Sequence, residues 1–260
     1  MIIGCMITLN NEMYVENALK SLSYVSDRIV VVDGGSYDTT LDICRNYTNE
    51  IIINKWTGDH STQRNIYINY IKRNYPNSWC FYLDSDETID YSKSKVISEI
   101  CSSEAKRSYK FRRKWLVSFP ASYISSPPHF PDWQLRLFKV NRRTEFIGLI
   151  HESLGSSLMH KLTSFPYVKF LSGNVMDFDI WHLDLVLNSY DIRKEKVQKY
   201  ARMEPGSGLL QYYLPEDIQT GISIIGESKA RLVLFPNTLK MIDANKQHWA
   251  RFLATKANVF

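Results

Sequence analysis

Two aspartates one residue apart follow a hydrophobic segment at residues 79–83, and Glu87 stands beside them. Ligands of open α/β sheets bind at the carboxyl ends of strands, where paired carboxylates can hold Mg²⁺ or Mn²⁺ while substrate phosphates complete the coordination. The Asp-x-Asp spacing therefore predicts a metal and diphosphate site. In it, we expect Asp86 to coordinate the metal and Asp84 to contact the metal, a metal-bound water or a ribose. The same carboxylates also fit a solvated turn before a polar helix near residues 91–103.

Strands and helices must alternate to position these carboxylates. Hydrophobic patterning predicts strands at residues 2–8, 28–32, 51–54 and 79–83, and helices at residues 15–22, 39–47 and 63–73. This alternation predicts an α/β fold with a doubly wound, mostly parallel sheet. A polar loop follows each strand, so Glu12, Asp33, Asp59, Asp84 and Asp86 should converge on one rim. Carboxylates crowded in this way repel unless a cation or a basic group lies among them.

The second half of the chain has a different pattern and predicts an α+β arrangement. Strands are expected at residues 109–119, 134–140, 145–150 and 179–182, with a proline-rich loop at 125–131 and a basic helix at 185–203. A Pro-Gly-Ser-Gly break then suggests a boundary, with a main domain at 1–205 (halves 1–104 and 105–205) and a helical appendage at 206–260. Helices near 216–230 and 237–256 of the appendage could cover the site, form a homodimer or touch a membrane.

Composition is that of a globular protein, with 44% hydrophobic and 23% charged residues, and the net charge of +5 is compatible with anionic partners. The basic runs, such as Arg112-Arg113-Lys114, are usually solvated faces, so nucleic acid is not an expected partner, although this run could meet a membrane. Four dispersed cysteines indicate free thiols of a reducing compartment. With neither a leader-like nor a membrane-spanning segment in the sequence, we expect a cytoplasmic protein, with peripheral membrane contact as an option.

Six segments, in this order, resemble the family 2 glycosyltransferases of GT-A fold, in particular the bacterial branch of lipopolysaccharide-core sugar transferases and bacteriocin S-glycosyltransferases. They are Thr8–Glu12, Val31–Thr40, Gly58–Asn65, Leu83–Glu87, Trp133–Phe138 and Gly148–Glu152. The resemblance spans residues 1–205 and departs from the family pattern at Gly34-Gly35 and His60. It implies a nucleotide-diphosphate-sugar donor (a UDP-sugar is favoured), Mn²⁺ or Mg²⁺ as cofactor, and inversion at the anomeric carbon. The acceptor would be a hydroxyl or thiol on a glycan, a lipid-linked glycan or a peptide.

The resemblance also assigns binding residues. The nucleotide-sugar set is Thr8, Asn10, Glu12, Asp33, Asp59, Arg64, Asp84, Gln134 and Arg136. Asp33 would accept a hydrogen bond from a ring N–H of the base, and Arg64 would offset the acids and face a phosphate. His182 would complete the metal shell. Without the resemblance, Asp33 fits a turn before glycines and His182 fits a structural histidine.

An inverting transfer needs a base on the face opposite the leaving group. Glu152, after the segment Gly148–His151, is the first candidate, and Asp132, in front of Trp133, is the second. Two alternatives fit the residues less well. A nucleotidyltransferase should carry a glycine-rich basic loop after the first strand, where this chain has Leu9–Glu12. A non-catalytic nucleotide- or glycan-binding module should have lost the Asp-x-Asp pair or the base.

Overall fold

The computed structural model describes residues 1–118, 122–148, 153–155, 172–203, 210–218, 222–226 and 229–257. The strands are β1 (Ile2–Thr8), β2 (Arg28–Asp33), β3 (Ile51–Ile53), β4 (Trp79–Tyr82), β5 (Glu87–Ile89), β6 (Ser108–Ser118), β7 (Ser122–Ile124), β8 (Asp132–Lys139), β9 (Glu145–Ile147), β10 (Ser153–Gly155), β11 (Ser172–His182) and β12 (Ile224–Gly226). The helices are α1 (Val15–Val25), α2 (Thr40–Arg45), α3 (His60–Asn74), α4 (Lys95–Ser103), α5 (Asp184–Leu187), α6 (Tyr190–Met203), α7 (Leu210–Tyr213) and α8 (Pro236–Ala257).

The first half of the chain forms a parallel sheet covered on both faces. β1 lies between β2 and β4, and β3 adds to β2, all in parallel register. Side chains of β1 alternate between two cores: Met6 packs with the α1 residues Leu19 and Leu22, while Ile3 and Cys5 pack on the α3 side. The predicted α/β fold is confirmed. The four cysteines are buried free thiols, as predicted.

Antiparallel strands extend this sheet through the second half. β8 pairs with β4, and β6 pairs with β8, both antiparallel, while β11 runs parallel to β6. β6 and β11 therefore run in the same direction as β4. One rim of the sheet consequently carries the carboxyl ends of β1, β2, β4, β6 and β11 together with the amino end of β8. This topology gathers side chains from both halves of the chain at a single edge.

Two helix predictions are corrected. The helix expected at 185–203 is two helices, because Asn188 has an extended backbone and its side-chain nitrogen donates to Asp184 Oδ1 at 3.0 Å. The helix expected near 216–230 is wrong, since residues 224–226 form β12, antiparallel to β7. Ser125 N donates to Ser223 O at 2.8 Å, so the open edge of β7 recruits this segment as a strand. The helix expected at 237–256 corresponds to α8.

The C-terminal segment shares a hydrophobic core with the second half of the sheet. Trp115 and Trp181 of the sheet lie in one buried cluster with Trp249 and Phe252 of α8. The Trp249 indole donates to Leu185 O at 2.8 Å. At the other end of α8, Asn17 of α1 donates to the Thr238 hydroxyl at 2.6 Å. No helix in the part of the chain that the structure describes is long and apolar enough to cross a membrane.

Candidate active site

A cleft of about 580 Å³ opens at this rim and crosses the sheet. Trp56 and His60, which follow β3, line one end, and Trp115 of β6 lines the other. Asp84 and Asp86 lie between them in the strand order, because β4 occupies the middle of the sheet. The predicted site residues among its described lining are Thr8, Arg64, Asp84, Asp86, Asp132, Gln134, Arg136 and His182.

Asp84 binds two arginines at once. Arg64 Nη2 lies 2.6 Å from its Oδ1, and Arg136 Nη2 lies 2.8 Å from its Oδ2. Burial alone would raise the pKa of Asp84, but the two guanidinium groups outweigh it and hold this pKa well below its usual range. Arg64 belongs to helix α3, Arg136 belongs to strand β8, and Asp84 follows strand β4. The Asp84 carboxylate therefore links two strands of the sheet to a helix that packs on it.

A chain of buried charges continues from Arg136 to Asp132. Arg136 donates to Glu87 Oε1 at 2.5 Å, and Arg113 lies 3.7 Å from the same oxygen. Arg113 Nε in turn donates to Asp132 Oδ2 at 2.8 Å. Asp132 also accepts from the Trp115 indole at 3.1 Å and from Gln134 at 2.6 Å. Although burial opposes ionisation, Arg113 and these donors keep the pKa of Asp132 below its usual value.

Asp86 lies in an acidic pocket with one imidazole. His182 Nε2 is 3.5 Å from Asp86 Oδ2, and His182 Nδ1 is buried without a hydrogen-bond partner in the described structure. Burial, with Asp184, Asp84 and Glu87 nearby, raises the pKa of Asp86 to about 7. Burial and the Arg113 charge lower the pKa of His182, so its ring is neutral. This pairing follows from β11 ending beside Asp86, whose carbonyl accepts from Leu183 N at 2.9 Å.

Asp86 and His182 supply the oxygen and the neutral nitrogen that a divalent cation could bind. Within the described residues, however, no three His, Cys, Asp or Glu side chains are grouped closely enough to hold a metal ion by themselves. Asp184, two residues after His182, is paired with Lys196 Nζ at 2.5 Å. Among the described residues, the protein side of such a site would therefore consist of two ligands, with a bound substrate or water beside them.

The residues at the nucleoside end of the predicted nucleotide-sugar set make local hydrogen bonds, and their carboxylates do not face the cleft. Asp33 is fully buried and accepts from Gly35 N at 2.8 Å and from Ser36 N at 2.7 Å. Glu12 accepts from the Thr39 hydroxyl at 2.7 Å. Asp59 caps α3, and the Asn10 side chain accepts from Tyr37 N at 3.0 Å. Glu12, Asp33 and Asp59 shape the loops of the rim, but they are not among the described residues that line the cleft.

Several lining residues were not predicted from the sequence. Arg113 lies in the basic run Arg112-Arg113-Lys114 of strand β6, where successive side chains point to opposite faces of the sheet. Its neighbours Arg112 and Lys114 both pair with Asp179, at 2.7 and 3.0 Å. That run is thus engaged with carboxylates of the same chain. Tyr212 and Tyr213, in the segment predicted to be an appendage, also line the cleft. Period-two charge alternation could have revealed Arg113, whereas no local signal marks the tyrosines.

Glu152, the first candidate for the catalytic base, lies outside the described residues. Asp132 is described, and each of its two oxygens already accepts at least one hydrogen bond from a neighbouring side chain. Gln134 and Arg136, both predicted to bind the nucleotide sugar, lie two residues apart on β8 and line the cleft.

Comparison with known proteins gives one family match. The model of glycosyl transferase family 2 matches residues 5–161, more than half of the 260-residue chain. The SPbeta prophage-derived glycosyltransferase SunS of Bacillus subtilis (strain 168) is 25% identical over 154 residues, which cover 56% of this chain and 33% of SunS. The chain therefore spans about a third of the length of the curated relatives it matches.

Two matches to solved structures accompany the family match. The crystal structure of S. aureus TarS 1–349 is 16% identical to this chain in sequence. The match covers 84% of this chain and 70% of the TarS chain, with a TM-score of 0.46. Glucosyl-3-phosphoglycerate synthase from Mycobacterium tuberculosis, in complex with Mn²⁺ and UDP-glucose, is 14% identical, covers 44% of this chain and 43% of its own, and gives a TM-score of 0.34.

Proposed function

Because the chain belongs to glycosyl transferase family 2 and has its GT-A type of α/β fold, we propose that it transfers a sugar from a nucleotide-diphosphate-sugar donor to a nucleophilic acceptor. One observation carries the proposal. The region that matches the family contains Asp84 and Asp86, and both carboxylates line the cleft at the carboxyl end of β4. Strand ends of this kind are the usual ligand sites of α/β sheets.

We propose that the donor lies across the rim with its nucleoside toward Trp56 and its diphosphate near Asp86. The loops held by Asp33, Glu12, Asp59 and Asn10 would form the nucleoside end. Arg64 and Arg136 would lie close to the donor's phosphates or ribose, since both already approach the cleft through Asp84. A UDP-sugar is the favoured donor.

Metal dependence is part of the same proposal. Asp86 and His182 would hold Mn²⁺ or Mg²⁺ between them, and Asp84, kept ionised by its arginines, would contact a metal-bound water or the ribose. When bound, a divalent cation supplies positive charge to a departing diphosphate. His182 suits this role because burial keeps its imidazole neutral, which is the form that binds metals.

The transfer we propose is a single displacement with inversion. An acceptor oxygen, or a thiol sulfur, forms a bond to the anomeric carbon while the bond from that carbon to the diphosphate oxygen breaks, and the electron pair leaves with the nucleotide. A carboxylate takes the acceptor proton. We assign this role to Glu152 and keep Asp132 as the alternative, because the Arg113 charge and the hydrogen bonds to Asp132 lower its pKa and therefore its basicity.

The experiment is a donor-turnover assay. UDP release is measured from UDP-glucose, UDP-galactose and UDP-N-acetylglucosamine, each with and without Mn²⁺. We expect release with at least one donor, dependent on Mn²⁺ and abolished in Asp86→Ala. Glu152→Gln should retain UDP binding and lose turnover, whereas unchanged turnover would transfer the base role to Asp132. UDP binding without any turnover in the wild type would favour a non-catalytic module.

A further inference from the structure

The end of the cleft under β6 is built largely by aromatic side chains from the C-terminal half. Tyr212 and Tyr213 of α7 face Trp115, with ring centroids 5.9 and 5.5 Å from the indole. Tyr200 and Met203 of α6 line the same end. Trp115 itself is fully buried, while both α7 tyrosines are half-buried. This aromatic wall is separated from the nucleoside end by the Asp84 and Asp86 region.

The wall is fixed in place by groups from other elements. His129 Nε2, in the proline-rich loop, lies 3.0 Å from Tyr212 O. Arg193, which is fully buried in α6, donates to Tyr213 O at 2.6 Å and to Glu216 Oε2 at 3.0 Å. Both tyrosine carbonyls are therefore held by side chains distant in sequence. A surface held in this way loses little further conformational entropy when a ligand binds.

Polar groups lie against the aromatic rings. Lys196 Nζ lies over the Tyr213 ring, 4.6 Å from its centroid, and pairs with Asp184. Lys199, three residues further along α6, also lines the cleft, and no described carboxylate pairs with it. Apolar ring faces next to hydroxyl and ammonium groups complement a pyranose ring, which has C–H groups on its faces and hydroxyls around its edge.

We propose that Tyr212 and Tyr213 form the wall of an acceptor subsite that binds a carbohydrate ring. This inference rests on the proposed function, since the sugar of a donor placed at Asp86 would lie between the nucleoside end and this wall. The C-terminal segment then determines which acceptor enters the cleft. A cysteine peptide, the other acceptor chemistry, has no comparable need for aromatic faces beside ammonium groups.

The test measures saturation-transfer NMR from the protein to methyl β-glycosides of glucose, galactose and N-acetylglucosamine, with a cysteine-containing peptide as a separate probe. Removing an aromatic face should weaken sugar binding about tenfold or more in Tyr212→Ala. Tyr212→Leu keeps a large apolar side chain at this half-buried position and should weaken sugar binding similarly. It therefore tests the proposal even if the alanine variant folds poorly. Tyr212→Phe should stay near the wild type. Gln211→Ala, an exposed change in the same helix, is the matched control and should not alter binding.

Binding of UDP with Mn²⁺ and release of UDP from donor are measured on the same samples. Both should be unchanged in the Gln211→Ala control, and UDP binding should be retained in the Tyr212 variants. A sugar signal that is insensitive to Tyr212, a signal from the peptide alone, or no signal from any sugar would overturn the acceptor proposal while leaving donor chemistry intact. If the wild type neither binds UDP nor releases it from a donor, that result would instead contradict the proposed function.

Discussion

Asp84 and Asp86 are separated by one residue, yet their environments shift their pKa values in opposite directions. Arg136 and Arg64 hold the pKa of Asp84 well below its usual range, despite its burial. Burial and neighbouring carboxylates raise that of Asp86 to about 7. Two arginines therefore compensate the charge of Asp84, whereas Lys196 compensates that of Asp86 only in part. A bound cation would therefore stabilise the ionised form of Asp86 and not that of Asp84.

Asp84→Asn should destabilise the protein. The substitution leaves Arg64 and Arg136 close together without their shared carboxylate, and breaking a mostly buried pair of this kind typically costs about 3–5 kcal/mol. Because the Asp84 side chain is 27% exposed, we expect about 2–3 kcal/mol, measured by urea denaturation.

The matched control is Asp42→Asn, which removes an exposed ion pair with Arg45. It should cost less than about 1 kcal/mol. Equal losses in the two variants would show that the Asp84 pairs add nothing beyond an ordinary surface contact.

Asp86→Asn should stabilise the protein in EDTA at pH 8. Its folded pKa of about 7 lies above the ordinary 3.8, so stability is lost as the pH rises between these values and the carboxylate ionises. A neutral side chain avoids this cost, which is at most about 4 kcal/mol for a shift of that size. Denaturation of both proteins in EDTA measures the difference. A clearly less stable variant would mean that Lys196 compensates the Asp86 carboxylate fully.

The rim was predictable from sequence because strand and helix periods are local, and β1, β2 and β4 lie where the hydrophobic segments indicate. The partners of its acids were not. Arg136 meets Asp84 across 52 residues, and only the antiparallel return of β8 brings them together. Likewise, residues 224–226 have no strong strand signal of their own and become β12 because β7 offers an open edge. The role of Tyr212 depends on such tertiary contacts too.

His129 should make stability fall in acid. Burial lowers its pKa from 6.5 to about 4, so the folded state keeps the ring neutral while the unfolded chain binds a proton below pH 6.5. Its stabilising contribution is complete above pH 6.5 and decreases as the pH falls toward 4, by about 2 kcal/mol at pH 5. Urea denaturation at pH 7.5 and pH 5 should show a smaller decrease for His129→Gln than for the wild type. Parallel pH profiles would rule out this contribution.

Arg193 should be essential for attaching the C-terminal segment. Arg193→Met leaves Glu216 and the Tyr213 carbonyl without their buried donor, which should cost about 3–5 kcal/mol. Lys194→Met, on the exposed side of the same helix, should change stability by less than about 1 kcal/mol. Chemical denaturation compares the two variants, and an equally small effect of both would contradict the described packing.

The central claim is that the Asp86 cleft binds a nucleoside diphosphate together with a divalent cation. The most direct measurement is a thermal-shift series with UDP, GDP, CDP and dTDP, each with and without Mn²⁺, on the wild type and Asp86→Ala. Ligand at a hundred times its dissociation constant adds roughly 2.7 kcal/mol, enough to raise the unfolding midpoint by several degrees. We predict such a shift for UDP, dependent on Mn²⁺ and absent in the variant. No shift with any nucleotide, or the same shift in Asp86→Ala, would contradict the account.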